Sequence, residues 1–135
     1  MVKNLRTMGA PFGIIFSDIG RLSNSRLALQ AAEFSKDQDR FETFHDALLH
    51  AYFSEGLDIG DREVLAQLAR DAGIDVPELE QALDRGVYLP RLREMQDEAA
   101  KAGVTGVPHF IIANKKTIVG AQPLEVFRNA LRSMV

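Results

Sequence analysis

Between residues 23 and 102 the apolar positions recur at helical spacing, and a short acidic residue or a glycine punctuates each recurrence. Ser23 and Asn24 are cap residues for a first helix, in which Leu27, Ala31 and Phe34 form the apolar stripe and Arg26, Gln30, Glu33 and Asp37 the opposite face. Asp39 followed by Glu42 has the form of a capping box for a second helix, whose stripe Phe41, Phe44, Leu48 and Ala51 runs on until Gly56 can end it. Asp61 opens a third, with Val64, Leu65, Leu68, Ala69 and Ala72 apolar and Gly73 as its stop. Asp75, Pro77 and Glu78 restart the pattern for Leu79, Ala82 and Leu83 before Gly86. Tyr88, Leu92, Met95, Ala99 and Ala102 make a fifth stripe that Gly103 closes. Residues 23–102 therefore read as a small helical bundle.

Either side of the bundle the grammar differs. Residues 1–13 are broken by Gly and Pro and read as irregular, and the run Phe12–Phe16 is too short to assign by periodicity. After Gly103, Thr105-Gly106-Val107-Pro108 is turn chemistry, His109 to Ala113 is an apolar run of strand length, Asn114-Lys115-Lys116 is a polar turn, and Thr117 to Val119 returns as a second strand. Gly120-Ala121-Gln122-Pro123 then leads into a final helix with the stripe Leu124, Phe127, Leu131 and Met134. Phe110, Ile111 and Ile112 make the first strand apolar on both faces, the signature of a central strand paired on both sides, yet the chain offers it one obvious partner. An unpaired edge is a template for association, so a homo-oligomer is expected, most simply a two-fold dimer through the 108–113 edge.

Composition narrows the function classes. The 135 residues, 46% hydrophobic and 26% charged, suit one ordinary globular domain. A net charge of −3 leaves no basic excess for phosphates, so neither nucleic acid nor an anionic membrane surface is an expected partner. No apolar run reaches the roughly 20 residues of a membrane span, and residues 1–13 lack an apolar signal core, which makes the cytoplasm the expected location. The cysteine count is zero, which removes disulfides, thiolate metal sites and any cysteine nucleophile from this chain.

The remaining chemical signals are weak. His45 and His50 fall on different helix faces and His109 lies in a strand, so no metal site and no cofactor are expected. His109 could touch a ligand beside the proline turn, but its first reading is a strand residue that faces solvent or packs on the bundle. Asp58, Asp61 and Glu63 are out of register for a calcium loop, and Gly103-x-x-Gly106 with Lys115-Lys116 lacks the helix a phosphate cradle needs. Phe41, Phe44 and Phe53 read as core rather than as a stacking platform.

Several stretches together resemble a known family. They are Asn24 to Phe34, Phe44-His45-Asp46-Ala47-Leu48 with Ala51 to Gly56, the turn Leu57 to Asp61, and above all Gly103-Val104-Thr105-Gly106-Val107-Pro108 with Gly120-Ala121-Gln122-Pro123. This combination is similar to the DsbA family of thioredoxin-fold proteins, in its FrnE-like branch. The resemblance implies an α/β thioredoxin-like fold with a helical insertion, here residues 17–102, followed by a returning hairpin and helix, residues 103–135. It also implies that the family's first strand-helix-strand and its Cys-x-x-Cys pair are missing, leaving a chain that is mostly α with a small hairpin. The family performs thiol–disulfide exchange by thiolate attack, so this polypeptide is expected to be silent alone. What remains of the site would be Gly106, Val107, Pro108 and His109, with Val107-Pro108 in the cis form and its backbone pairing with an extended peptide or glutathione. A non-catalytic binding or assembly module is the alternative. A glutathione-dependent isomerase or transferase of the kappa type is a third reading, but none of Ser17, Ser23 and Ser25 stands where that branch places its nucleophile.

Overall fold

The computed structural model describes residues 2–18, 20 and 22–135. In chain order the elements are α1 (Val2–Gly9), α2 (Arg26–Asp37), α3 (Phe41–His50), α4 (Arg62–Asp71), α5 (Val76–Arg85), α6 (Leu89–Lys101), β1 (His109–Ile112), β2 (Lys116–Val119) and α7 (Leu124–Arg132). A single 3-10 turn follows α1 at Ala10–Phe12, and α3 runs on into a π-helical turn at Ala51–Glu55. Two compact units result, residues 1–92 and 93–135.

In the first unit α2 packs against α3, α4 and α5 around Phe44, Leu65 and Leu79, which are fully buried, with Ala31, Phe34, Leu48, Ala69, Leu83 and Tyr88 filling between them. Alanines on α2 let its neighbours approach closely, and apart from its own Phe34 the large side chains come from α3, α4, α5 and Tyr88. The entrances of α4 and α5 are capped as the sequence predicts: Asp61 accepts from the Glu63 N–H at 2.7 Å and Asp75 from the Glu78 N–H at 2.9 Å.

The Asp39-x-x-Glu42 capping box does not form. Asp39 instead sits at φ +55 and closes α2: its N–H donates to the Lys36 carbonyl at 3.1 Å and the Arg40 N–H to the Ser35 carbonyl at 2.9 Å. This is the Schellman pattern, with an aspartate in the left-handed position that glycine usually holds. Residue 40 becomes the entry to α3, without a side-chain cap.

Half of the expected polar face of α2 is buried, while Arg26 and Asp37 stay exposed. Gln30 is 3% exposed and Glu33 5%. Arg91 reaches Glu33 at 3.4 Å and both oxygens of Asp37 at 3.3 Å, Lys36 reaches Glu33 at 2.6 Å, and the Tyr88 hydroxyl donates to Asp37 at 2.7 Å. The Arg91 guanidinium also lies over the Tyr88 ring, 5.0 Å from its centre. Burial, then the bond to Asp37, pushes the Tyr88 phenol up to about 12, while the Tyr88 and Arg91 hydrogen bonds hold Asp37 below the usual carboxylate range.

Of the segment expected to be irregular, residues 2–12 are helical, in α1 and its 3-10 turn, and the Gly and Pro residues cluster at the end of the helix rather than within it; Met1 lies outside the described residues. The following segment, residues 14–18, has no regular structure and is pinned at several points. Arg6 donates to the Phe16 carbonyl at 2.8 Å, Ser54 to the Ile15 carbonyl at 2.7 Å, and the Ser17 N–H to the Phe53 carbonyl at 2.8 Å. Gly9 is required there, since a Cβ on it would stand 2.8 Å from the Phe16 ring.

In the second unit β1 and β2 form an antiparallel hairpin with Phe110 opposite Ile118. The Phe110 ring meets Phe127 of α7 edge to face at 4.8 Å, and Ile118 and Ala130 are the buried residues between hairpin and helix. Only part of the predicted α7 stripe is used: Phe127 and Met134 are half-buried, whereas Leu124 and Leu131 are exposed.

Candidate substrate-binding turn

The candidate residues lie where α6 gives way to β1. Gly103, at φ +75, ends the helix as the Val104 N–H donates to the Ala99 carbonyl at 2.9 Å. The chain then runs through Gly106, Val107 and Pro108, all exposed, with Val107 91% exposed and the Val107–Pro108 peptide bond cis. The Pro108 carbonyl accepts from the Gly120 N–H at 2.8 Å. That bond joins the two turns that carry the family resemblance, Gly106-Val107-Pro108 and Gly120-Ala121-Gln122-Pro123, at one end of the hairpin. Gly120 takes φ +82, and Gln122 secures the second turn by donating to the Val119 carbonyl at 3.0 Å.

The same bond fixes which backbone groups are free. Register pairs residue 109 with 119 and 110 with 118, so 108 and 120 are direct partners and hydrogen-bonded pairs alternate from there. Positions 108, 110 and 112 of the first strand therefore face β2, and the N–H and C=O groups of His109 and Ile111 point outward. Among the described residues β1 pairs with β2 alone, so its outer edge is open. The pleat places His109, Ile111, Thr117 and Val119 on the face opposite Phe110 and α7. Ile111 is 49% and Val119 52% exposed there, and His109 is half-buried with its Nδ1 buried and unpartnered.

The four predicted site residues are consecutive, and the hairpin brings Gly120 to them. The expected turn at Asn114-Lys115-Lys116 would have set 108 against 122; the chain turns one residue earlier, at 113–115, so Ile112 pairs with Lys116 and 108 meets 120. The other singled-out residues lie elsewhere. His45 stacks on Phe41 at 5.0 Å, His50 faces Glu55 at 3.5 Å, and Ser17, Ser23 and Ser25 belong to the first unit. Among the described residues no three His, Cys, Asp or Glu side chains come together as a metal would need, and no helix is long and apolar enough to cross a membrane. With no cysteine in the sequence, the turn offers a ligand backbone hydrogen bonds and apolar surface, not a sulfur nucleophile.

A turn of this construction, on a hairpin backed by a terminal helix, can be set beside known proteins. The family model of the DSBA-like thioredoxin domain matches residues 1–132. The chain belongs to this family. It has the DsbA-like thioredoxin fold in a mostly helical form with a small two-stranded sheet. A crystal structure of a probable DsbA oxidoreductase, SCO1869 from Streptomyces coelicolor, superposes with a TM-score of 0.86 at 31% identity, covering 98% of this chain and 58% of that one. The uncharacterized protein YwbO of Bacillus subtilis (strain 168) is 29% identical over 119 residues, which is 87% of this chain and 59% of that protein. The chain thus spans just under three-fifths of the length of these two family relatives.

Proposed function

We propose that this chain carries the substrate-contacting turn of a DsbA-like thiol–disulfide oxidoreductase of the FrnE-like branch, acting in the cytoplasm, and performs no thiol–disulfide exchange alone. Its division into a helical insertion, 17–102, and a returning hairpin and helix, 103–135, is part of this reading. Exchange requires attack by a thiolate and passes through a mixed disulfide. A chain with zero cysteines has no atom for that step.

The observation that carries the binding half of the proposal is the exposed turn Gly106–Pro108, continuous with a strand edge whose outward N–H and C=O groups have no strand partner among the described residues. An extended peptide adds to such an edge through its main chain, and the backbone amides of glutathione can use the same groups. The experiment is an insulin-reduction assay of the purified chain with a dithiol reductant. The expected rate equals the reductant-only background, and turnover above background overturns the claim of silence.

A further inference from the structure

Pro108 leaves its cross-strand pair half made. Directly opposed residues such as 108 and 120 ordinarily exchange two N–H···O bonds, but proline has no N–H to give. The Gly120 N–H still reaches the Pro108 carbonyl at 2.8 Å, while the Gly120 carbonyl lacks the donor that another residue at 108 would supply. Gln122 takes that place. Its own N–H donates to the Gly120 carbonyl at 3.0 Å, and its side-chain Nε2 donates to the Val119 carbonyl, also at 3.0 Å. Gln122 is anchored from the other side as well: Pro123 next to it opens α7, and Phe127 of that helix packs against Phe110 at 4.8 Å.

The Val119 carbonyl and the Gly120 N–H belong to one planar peptide unit and point in opposite directions. Gln122 grips one end of that unit, and the other end holds Pro108. Among the described residues the main chain of Thr105, Gly106 and Val107 makes no hydrogen bond, so the Gly120–Pro108 bond is the tether between Val104, which is bonded to Ala99, and the strand. We infer that Gln122 is the positioning residue of the proline turn: by holding the Val119 carbonyl it orients the 119–120 peptide unit, which aims the Gly120 N–H at Pro108 and so sets where Gly106, Val107 and Pro108 lie. The consequence for a ligand rests on the proposed function; the grip itself is measured without one.

Gln122 is exposed, so replacing it leaves the packing of the hairpin on α7 in place. Gln122→Met keeps the length of the side chain and removes the donor, and Gln122→Lys puts a donor back. In the full chain without ligand, the Gly120 amide of the Met variant should exchange with deuterium roughly 5-fold faster than in the parent, the weight of one modest hydrogen bond. The Phe110 and Ile118 amides should keep parental rates, and the Lys variant should return Gly120 to its parental rate. With a capped pentapeptide of alternating threonine and valine, the Met variant should bind roughly 5-fold more weakly and the Lys variant as the parent does. Unchanged Gly120 exchange in the Met variant overturns the inference, and so does faster exchange with undiminished peptide binding. If the parent itself does not bind the pentapeptide, the proposed function fails, and the exchange rates alone decide whether Gln122 positions the turn. If the Met variant loses the protected hairpin amides, the Lys variant decides: parental Gly120 exchange supports the inference and faster exchange overturns it.

Discussion

Tyr88 donates its hydroxyl to the Asp37 carboxylate at 2.7 Å, joining the end of α2 to the entrance of α6 across 51 residues of chain. Around this bond Arg91 of α6 binds Asp37 and Glu33, so the two carboxylates in the last turns of α2, Glu33 buried and Asp37 exposed, are countered by Arg91 together with Lys36 of α2. Tyr88→Phe keeps the ring against Phe34, 6.0 Å away, and removes only the hydroxyl. The expected loss is about 1 kcal/mol, since Asp37 is half-exposed and solvent screens part of a charge-assisted bond. In a domain of this size that is a fall of roughly 3–4 °C in Tm by thermal unfolding. An unchanged Tm would show that the bond does not contribute.

The same pair sets a pH dependence at both extremes. Asp37 is held below its ordinary carboxylate range, so its contribution is present above the unfolded value of 3.8 and disappears as pH falls through the lower folded value. Tyr88 moves the other way. Its contribution is complete below pH 10.0, the unfolded value, and is lost as pH rises toward about 12. Ultraviolet titration of a Tyr52→Phe variant, which leaves Tyr88 as the only tyrosine, should show the phenolate band emerging near 12 in the folded protein and near 10 in urea. Coincident curves would contradict the hydrogen bond and the burial.

Asp39 separates two readings of one motif. As the first residue of a capping box, its replacement by glycine would cost a few tenths of a kcal/mol. As the left-handed residue that ends α2, at φ +55, its replacement by glycine relieves backbone strain and should stabilise the protein by about 0.5–1 kcal/mol. Urea unfolding of Asp39→Gly distinguishes them by the sign of the change.

That ambiguity illustrates what the sequence could carry. Asp61 and Asp75 cap helices through bonds two and three residues away, so local pattern contained the whole signal. The hairpin and its proline turn were equally legible, but the register was not, since the turn falls at 113–115 rather than at 114–116 and shifts every pair by two residues. Asp39 has the same local pattern but is claimed by the helix before it, a competition that spacing does not resolve. Glu33 is polar in pattern and buried in fact, because its charge partner Arg91 lies 58 residues on. Helix α1 was missed because its glycine and proline neighbours suggest a break, whereas Arg6 fixes it by reaching forward to Phe16 and Asp18. That β1 pairs with β2 among the described residues follows from the hairpin pattern, and which of its residues face away from β2 needed the Gly120–Pro108 bond.

Asp75→Ala tests the most local of these statements. Losing the side-chain acceptor for the Glu78 N–H should cost about 1 kcal/mol and leave the α5 fold otherwise intact, read as a shift in the urea midpoint at unchanged slope. No shift would mean that solvent satisfies that N–H equally well.

The binding role of the proline turn is tested most directly by titrating the isotope-labelled chain with a short unstructured peptide and following backbone amide shifts. The account predicts progressive, saturable shifts at Gly106, Val107, His109 and Phe110, with the α4 and α5 amides unmoved. Absence of any response at those four residues up to roughly millimolar peptide, the weak end of specific recognition, would contradict it.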